Sequence, residues 1–317
     1  MATKEGHLER TAHEPRDSSL HKVVITRIDQ INPSIRLFRL TIPDHGSIHF
    51  KPGQWLDVYC PGISKAGGFT ITSPPSLARP HPRPHHDPTQ PTPDVVIQLE
   101  EGYLELAIQK SPENPAAHYL WQLEPALLDS ELELILYVRV GGSFVFPPKP
   151  APTTTPLRKV VFVAGGVGIN PLISMLSHIH DQEFPVGVQL LYSVKHPEPD
   201  NIETDKVLFL DRIAALFGPG SLRGTAHLFL TGESSVNSQG DKEIAGILPI
   251  GVSLSRRRIN ISDIERILYN AEERKSAVVY ICGVPSMTDE FVHKLTAPVS
   301  DGGLGMEKER VLFEKWW

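Results

Sequence analysis

The segment from Val160 to Pro171 constrains the fold of this chain more than any other part of the sequence. An unbroken apolar run, Val160 to Ala164, leads directly into glycines and a predicted helix start. A strand without polar alternation is typical of a parallel sheet that helices cover on both faces. Asn170 is suited to cap the helix, and Pro171 to occupy its first position. The segment therefore predicts a strand, a turn and a helix whose first amides face an anion.

The glycines of this turn are Gly165, Gly166 and Gly168, which have no side chains to obstruct a bound diphosphate. Such turns also serve plain packing of a strand against a helix, and this one lacks the third glycine of the Rossmann fingerprint. On this segment alone, a dinucleotide site and plain packing are both open.

Length and composition indicate an ordinary globular protein of about two domains. The 317 residues exceed one average hydrophobic core, and 40% of them are apolar. No stretch approaches the roughly 20 apolar residues that span a bilayer. The net charge of -6, without long runs of one sign, argues against nucleic acid and anionic membranes as partners.

Cysteine usage and the first residues bear on the compartment. Cys60 and Cys282 are the only cysteines, so we expect no disulfide framework and favour a reducing compartment. Residues 1–20 are polar, have no apolar core of a secretory signal, and carry acids that a mitochondrial presequence avoids. We expect a flexible tail at 1–20 and an intracellular protein, with cytoplasm and mitochondrion both open.

The rest of the chain divides by its pattern. Residues 21–147 carry short β-rich runs between turn residues, which predicts a small barrel or sandwich. Within them, the Pro- and His-rich stretch 78–94 is expected to be an exposed insertion. Residues 148–156 have the composition of a linker. In 157–317, apolar runs alternate with helical spacing, which predicts a doubly wound parallel sheet.

Three smaller predictions concern connections. The histidines of the insertion, His81, His85 and His86, are more often solvent-facing than metal-binding on such a loop, so we assign no metal site. Glu100-Glu101-Gly102 is expected to join two barrel strands as a hairpin. The polar stretch from Glu233 to Ser255 is expected to be a long surface loop.

Three motifs follow one another in an order that is specific when they are taken together. They are Phe69-Thr70-Ile71-Thr72-Ser73-Pro74, the glycine turn, and Tyr280-Ile281-Cys282-Gly283-Val284-Pro285-Ser286-Met287. Together they resemble the ferredoxin–NADP reductase superfamily over nearly all of Val23 to Trp317. The resemblance implies a β-barrel domain followed by an α/β doubly wound parallel-sheet nucleotide-binding domain.

Further segments resemble a narrower subgroup of this superfamily. They are Lys51-Pro52-Gly53-Gln54-Trp55, Gly67-Gly68-Phe69, Val138-Arg139-Val140-Gly141-Gly142, the glycine turn and the ending Phe313-Glu314-Lys315-Trp316-Trp317.

The resemblance implies a flavin, FAD or FMN, and hydride transfer between it and a nicotinamide brought by the second domain. It implies that Thr70 donates a hydrogen bond to the reactive edge of the flavin ring and that Phe69 packs on its face. The cofactor-binding residues implied in the barrel also include Ser73, Gly141 and Gly142.

Two positions depart from the family pattern. Gly67 replaces an arginine that binds the flavin phosphate, and Asn114 and Ala117 replace a glycine and a hydroxyl residue at a helix start. We therefore expect low flavin affinity unless other groups compensate: Arg79, Lys110 or the backbone amides near Gly141 and Gly142.

In the second domain the family pattern is better kept. The residues that resemble its diphosphate turn are Gly165, Gly166, Val167, Gly168, Asn170 and Pro171. Cys282, Gly283 and Met287 match positions near the nicotinamide. The alternatives are that Cys282 is a buried apolar side chain and that Met287 belongs to a helix core.

The chain end carries a further implied site. Glu314 and Trp316 have the spacing of the carboxylate and the terminal aromatic in plant-type reductases. The resemblance implies that Trp316 or Trp317 stacks on the flavin and that Glu314 is a proton or charge partner. The alternatives are a buried C-terminal strand and a solvated carboxylate. Thr70, Cys282 and Glu314 are the catalytic candidates.

The sequence leaves the choice between NADH and NADPH open. An NAD-specific Rossmann site has an acid about 20 residues after the turn, whereas the second strand here ends with Ser193 and Lys195. These two side chains are suited to a ribose phosphate, and Lys195 is also consistent with a plain surface charge.

The hypothesis that follows is a flavin-dependent NAD(P)H oxidoreductase that passes electrons to an unidentified acceptor, which includes an acceptor protein. The alternative is an NAD(P)H-binding regulatory or interaction module that has lost flavin binding. A third hypothesis is a reductase module beside a heme or iron–sulfur partner, because two cysteines do not build a four-cysteine cluster.

Overall fold

The computed structural model describes residues 6–85, 96–129, 132–149, 155–195, 203–232 and 251–315. The chain divides into two compact units, Met1–Ser143 and Phe144–Trp317. We call them the barrel unit and the nucleotide unit. The division comes a few residues before the segment 148–156 that the composition marks as a linker.

The barrel unit is built from antiparallel strands. They are β1 (His21–Asn32), β2 (Ile35–Thr41), β3 (Trp55–Tyr59), β4 (Gly67–Thr70), β5 (His81–His85), β6 (Val96–Glu100), β7 (Tyr103–Gln109) and β8 (Ile135–Gly141). Its helices are α1 (His7–Arg10) and α2 (Pro115–Gln122), with short 3-10 turns at Pro75–Ala78 and Pro125–Asp129.

Six of these strands form one sheet in the order β4-β3-β8-β1-β2-β7. An isolated bridge between Ile71, just after β4, and Leu106 of β7 joins the two edges of the sheet. Closure leaves fewer unpaired edge groups and encloses the apolar side chains. Phe38, Leu56 and Val138 are fully buried in this core, so the predicted barrel is confirmed.

The N-terminal segment packs on the barrel, although the composition of residues 1–20 predicted a flexible tail. Within residues 6–20, the Asp17 amide donates to the Val140 carbonyl over 2.8 Å. Backbone pairing and a few charged side chains fix a segment that has no apolar run. Composition therefore did not predict this contact.

Part of the Pro- and His-rich insertion is also ordered into a strand. β5 pairs antiparallel with β6, with His81 opposite Glu100, and prolines are tolerated in such an isolated edge pair. The predicted hairpin through Glu100-Glu101-Gly102 is wrong, because β6 pairs with β5 while β7 pairs with β2. His86 and the rest of 86–95 lie outside the described residues.

The nucleotide unit alternates strands and helices. The strands are β9 (Lys159–Gly165), β10 (Gly187–Lys195), β11 (Gly224–Thr231), β12 (Val252–Ser255), β13 (Ala277–Gly283) and β14 (Val311–Lys315). The helices are α3 (Ile169–Asp181), α4 (Leu210–Leu216), α5 (Ile261–Ile267), α6 (Ala271–Ser276) and α7 (Pro285–Thr296). Short 3-10 turns lie at Gly166–Gly168, Thr204–Lys206, Val299–Asp301 and Lys308–Arg310.

All six strands are parallel, in the order β12-β11-β10-β9-β13-β14. The chain moves outward from β9 to β12 and then returns to the other side of β9 as β13. The strand order therefore reverses between β9 and β13, and ligands of open α/β sheets bind at such a switch point. The predicted doubly wound sheet is confirmed.

Both faces of this sheet are covered. Ile264 of α5 and Phe291 of α7 pack with Val161 and Ile281 on one face. On the other face lies Tyr280, whose hydroxyl donates to the Val145 carbonyl over 2.9 Å. The strands are thus buried on both sides, as their continuous apolar runs predict.

Two further observations complete the fold. β12 lies inside the stretch from Glu233 to Ser255 and pairs with β11, so that stretch is not entirely a loop; residues 233–250 lie outside the described residues. Within the described part of the chain, no helix has both the length and the apolar character needed to cross a membrane.

Candidate functional site

The glycine turn lies at the carboxyl end of β9. Gly165 is the last residue of that strand, and Gly166 begins the 3-10 turn with a φ of +55°. A Cβ on Gly166 would meet nothing within 4 Å among the described residues. The positive φ favours glycine, and the open space on the side where a Cβ would project is available to a ligand.

Gly168 is needed for a different reason. A Cβ on Gly168 would overlap the backbone carbonyl of Cys282 at the end of β13. Backbone atoms of β13 cannot move aside as a flexible side chain can. Gly168 therefore lets the turn lie directly against the neighbouring strand at the switch point.

The helix α3 begins earlier than the sequence predicted. Its N-cap residue is Gly168, and Asn170 and Pro171 lie within the first helical turn. The prediction that Asn170 caps this helix is wrong, because the 3-10 turn through Val167 already starts the helical backbone. Pro171 is still accommodated, since first-turn amides need no helical acceptor. The N-cap residue has no side chain that would cover those amides.

Cys282 and Glu314 lie side by side. They are Cα partners on the parallel strands β13 and β14, so their side chains emerge on the same face of the sheet. Cys282 is fully buried, whereas Glu314 is half-buried. A thiol and a carboxylate are thus brought together at the carboxyl edge, next to the glycine turn. Trp316 and Trp317 lie outside the described residues.

Met287 lies over two glycines of this edge. Its methyl group would be 3.2 Å from a Cβ on Gly165 and would overlap a Cβ on Gly283. Met287 is half-buried near the start of α7. Its flexible thioether therefore lies against the backbone at the ends of β9 and β13.

Ser193 and Lys195 end the neighbouring strand β10. Ser193 is the Cα partner of Gly165, so it lies directly beside the glycine turn. Lys195 is two residues further along, exposed, and paired with Thr231 in the sheet. Both lie at the carboxyl edge, where the resemblance implies the adenosine ribose.

In the barrel unit, Thr70 is the last residue of β4 and is 1% exposed. Its hydroxyl has no hydrogen-bond partner among the described residues. Phe69 points the other way, into the barrel core. Its ring would be 2.6 Å from a Cβ on Gly67, so Phe69 fills the space beside position 67.

The other barrel positions implied for the cofactor are engaged within the chain. The Ser73 hydroxyl accepts the Glu105 amide over 3.1 Å. Gly141 and Gly142 lie against the Trp55 indole, which a Cβ on either residue would overlap. The Gly142 amide donates to the Pro15 carbonyl over 3.0 Å, so this amide does not serve as the expected compensating donor.

The start of α2 is closed by its own N-cap. The Asn114 side-chain oxygen accepts the amides of Ala116 and Ala117 over 3.1 and 3.2 Å. Asparagine followed by Pro115 is a recognised N-cap pattern. The sequence carried this signal, but there Asn114 was interpreted only as a lost glycine.

A cluster around Asp57 was not predicted. The Asp57 side chain is fully buried and accepts hydrogen bonds from His7 and Arg16, each over 3.0 Å, and from Arg139 over 2.7 Å. Burial alone would raise the pKa of Asp57, but these hydrogen bonds outweigh it and lower the pKa below its usual value. A single carboxylate in the apolar run from Gln54 to Cys60 was the available signal.

Comparison with known proteins gives the chain its family. The oxidoreductase NAD-binding domain-containing protein 1 of Bos taurus is 32% identical over an alignment 323 residues long, gaps included, that covers 98% of this chain and 85% of the relative. The protein of that name from Homo sapiens is 31% identical over 99% of this chain and 85% of its own length. The chain belongs to the family of the oxidoreductase NAD-binding domain-containing protein 1. The subgroup resemblance is therefore confirmed, and so is the oxidoreductase class at the level of the family.

A more distant relative is the reductase component of propane 2-monooxygenase from Rhodococcus jostii (strain RHA1). It is 23% identical over 92% of this chain and 62% of its own length. No protein-family model matches the chain.

Solved structures agree with the fold. A ferredoxin NADP+ reductase from Neisseria gonorrhoeae, with bound FAD and NADP, gives a TM-score of 0.58 at 16% identity and covers 94% of this chain and 99% of its own. Phthalate dioxygenase reductase gives 0.54 at 16% identity, over 94% of this chain and 68% of its own. At this identity the likeness confirms the ferredoxin reductase-like fold and no more.

Proposed function

We propose that the chain is an NAD(P)H-dependent oxidoreductase that binds the nicotinamide dinucleotide at the glycine turn and a flavin ring at the barrel, and passes electrons to a further acceptor. The observation that carries the proposal is the carboxyl edge of the nucleotide unit. There, Gly166 leaves open space, Gly168 lies against Cys282, and Cys282 lies beside Glu314.

The diphosphate of NAD(P)H is proposed to rest on the turn. Gly165, Gly166, Val167 and Gly168 present backbone there, and α3 directs the positive end of its dipole at the same place. Asn170 and Pro171 shape the first turn of that helix. Because the N-cap is a glycine, no side chain of that residue competes with a phosphate for the amides.

The nicotinamide end is proposed to reach Cys282, Gly283 and Met287. Gly283 gives a flat backbone surface, and the Met287 thioether is flexible enough to move from it. Cys282 would line the ring position, and Glu314 would act as the charge or proton partner beside it. Trp316 and Trp317 are the proposed aromatic side chains at the chain end.

The ribose end is proposed to meet Ser193 and Lys195. The hydroxyl and the ammonium are both suited to a ribose phosphate, which favours testing NADPH together with NADH. Comparing the affinities of NADH and NADPH decides between the two nucleotides.

The ring end of a flavin fits the barrel unit. The buried Thr70 hydroxyl has no partner among the described residues, and a ring nitrogen would supply one. When bound, a flavin accepts a hydride from NAD(P)H and releases the electrons to an acceptor. Phe69 supports β4 from the core side, while Ser73, Gly141 and Gly142 fix the backbone around it.

The experiment mixes the purified chain with NADH or NADPH and added flavin in the absence of oxygen. We expect loss of the oxidised flavin absorbance at a rate proportional to the protein concentration. Thr70→Val removes the hydroxyl and should slow this rate at least tenfold without changing NAD(P)H affinity. Thr26→Val, on the exposed side of β1, is the matched control and should leave the rate unchanged.

A second candidate function is favoured by the closed start of α2. If the barrel holds no flavin, the chain binds NAD(P)H as a regulatory or interaction module without turnover. The same experiment separates the two, because NAD(P)H binding without any flavin reduction would contradict the oxidoreductase and support the module.

A further inference from the structure

We infer that the described residues of the barrel unit recognise only the ring end of a flavin and offer no site for its phosphates. Riboflavin, FMN and FAD should then bind with nearly equal affinity, as exchangeable ligands. The inference rests on the proposed function, since it concerns how the same flavin is held.

The first support is the start of α2, because helix starts are the common anion sites of folds. The amides of Ala116 and Ala117 are already accepted by Asn114, and Pro115 has no amide. A phosphate at this helix would have to displace the asparagine side chain. The family resemblance implies that the flavin phosphate binds here, and in this chain the Asn114 side chain fills the place.

The second support is the space beside position 67. A Cβ on Gly67 would lie 2.6 Å from both the Ala116 methyl carbon and the Phe69 ring. The core has thus closed over the place from which a long cationic side chain would extend. Neither the cation nor room for it is present at this position.

The third support is the use of guanidinium groups elsewhere in the barrel unit. Arg16 and Arg139 both donate to the buried Asp57. Arg36 donates to the carbonyls of Trp121 and Leu123, each over 3.0 Å. These three arginines neutralise or cap groups of their own chain, so they are not available for a diphosphate. Of the two cations expected to compensate, Lys110 lies over the Trp121 ring, with Nζ 5.5 Å from its centroid, and Arg79 is exposed.

The fourth support is the backbone near Gly142. Its amide donates to Pro15 of the N-terminal segment, and Gln54 donates to its carbonyl over 3.0 Å. The Gly142 amide, one of those expected to compensate for Gly67, is therefore tied into the barrel. The phosphate end of FAD gains no donor from that amide.

The test is a titration of the full chain with riboflavin, FMN and FAD, followed by flavin fluorescence. We expect three dissociation constants within threefold of one another. FAD binding more than tenfold tighter than riboflavin would overturn the inference and leave the proposed function standing. If no flavin binds while NADH does, the flavin step of the proposed function fails, and the inference fails with it.

A variant makes the assignment specific. Asn114→Gly frees the two amides with little loss of helix stability, so FMN and FAD should gain at least threefold over riboflavin. Asn270→Gly is the matched control, because Asn270 caps α6 by accepting the Glu273 amide over 2.8 Å. It should leave all three constants unchanged. An unchanged ratio in Asn114→Gly would contradict the assignment of these amides as the withheld donors.

Discussion

The family resemblance implies phosphate binding at two helix starts, and these two starts differ in the N-cap residue. The N-cap of α3 is Gly168, which has no side chain, and the preceding Gly166 faces open space. The N-cap of α2 is Asn114, whose side chain occupies two first-turn amides. The first-turn amides of α2 are thus satisfied by a side chain of the barrel unit, whereas the N-cap residue of α3 has no side chain that competes for the amides of that helix.

The difference shows that the fold alone does not decide whether the amides at a helix start are occupied by an N-cap side chain. An asparagine cap stabilises a helix by about 1 kcal/mol and uses the donors that would otherwise hold a phosphate. A glycine cap costs the helix only about a few tenths of a kcal/mol relative to asparagine and leaves the donors for a ligand. At this point the barrel unit uses its helix-start amides for internal hydrogen bonds with a side chain, and the N-cap residue of α3 makes no such bond.

The largest effect is expected where the barrel unit uses its cations internally. Asp57→Asn keeps the shape of the side chain but removes the charge that Arg16 and Arg139 neutralise. We expect a loss of about 3 kcal/mol of unfolding free energy, because buried cations are left without their anion. Urea denaturation measures it.

The control for this variant is an exposed pair in the same unit. Asp29→Asn removes the partner of Arg27 on the surface of β1 and should cost about 0.5 kcal/mol or less. Equal losses of stability in the two variants would mean that Asp57 does not bind Arg16 and Arg139 more strongly than an exposed ion pair would. The proposed difference between the two units would then lose this support.

The next largest effect is expected at Gly168, which lets the glycine turn lie directly against β13. Gly168→Ala would drive a Cβ into the Cys282 carbonyl, and we expect a loss of about 2 kcal/mol. Gly187→Ala in β10 is the control, since its Cβ would lie 3.7 Å from the nearest atom, and it should change stability by under about 1 kcal/mol. Urea midpoints for both variants decide the point, and equal losses would mean that the turn does not press on β13.

The sequence predicted the two units, the doubly wound parallel sheet and the glycine turn, because these depend on local patterns of apolar residues and glycines. It did not predict the packing of residues 6–20 or the cluster around Asp57. Those contacts join polar side chains from distant parts of the chain, and no local pattern records them. Asn114 is an intermediate case. Its N-cap pattern is present in the sequence, but the family resemblance led us to interpret it only as a replaced glycine.

A smaller effect is expected from pH. Folding lowers the pKa of Asp57, so its contribution is fully present above the unfolded value of about 3.9 and is lost as the pH falls through the lower folded value. The stability difference between the wild type and Asp57→Asn should be constant near neutral pH and shrink as the pH falls below about 4. Urea midpoints across that range measure it. A difference that stays constant in acid would contradict the ionised carboxylate.

The most direct test of the central claim is the affinity of NADH for Gly166→Trp against Gly220→Trp, measured by calorimetry. Both glycines have a positive φ, +55° and +80°, and a Cβ on either meets nothing within 4 Å among the described residues. The two variants therefore bear similar backbone strain. We predict that Gly166→Trp weakens NADH binding at least tenfold, or about 1.4 kcal/mol, while Gly220→Trp leaves it unchanged. Equal affinity in the two variants would contradict binding at the glycine turn.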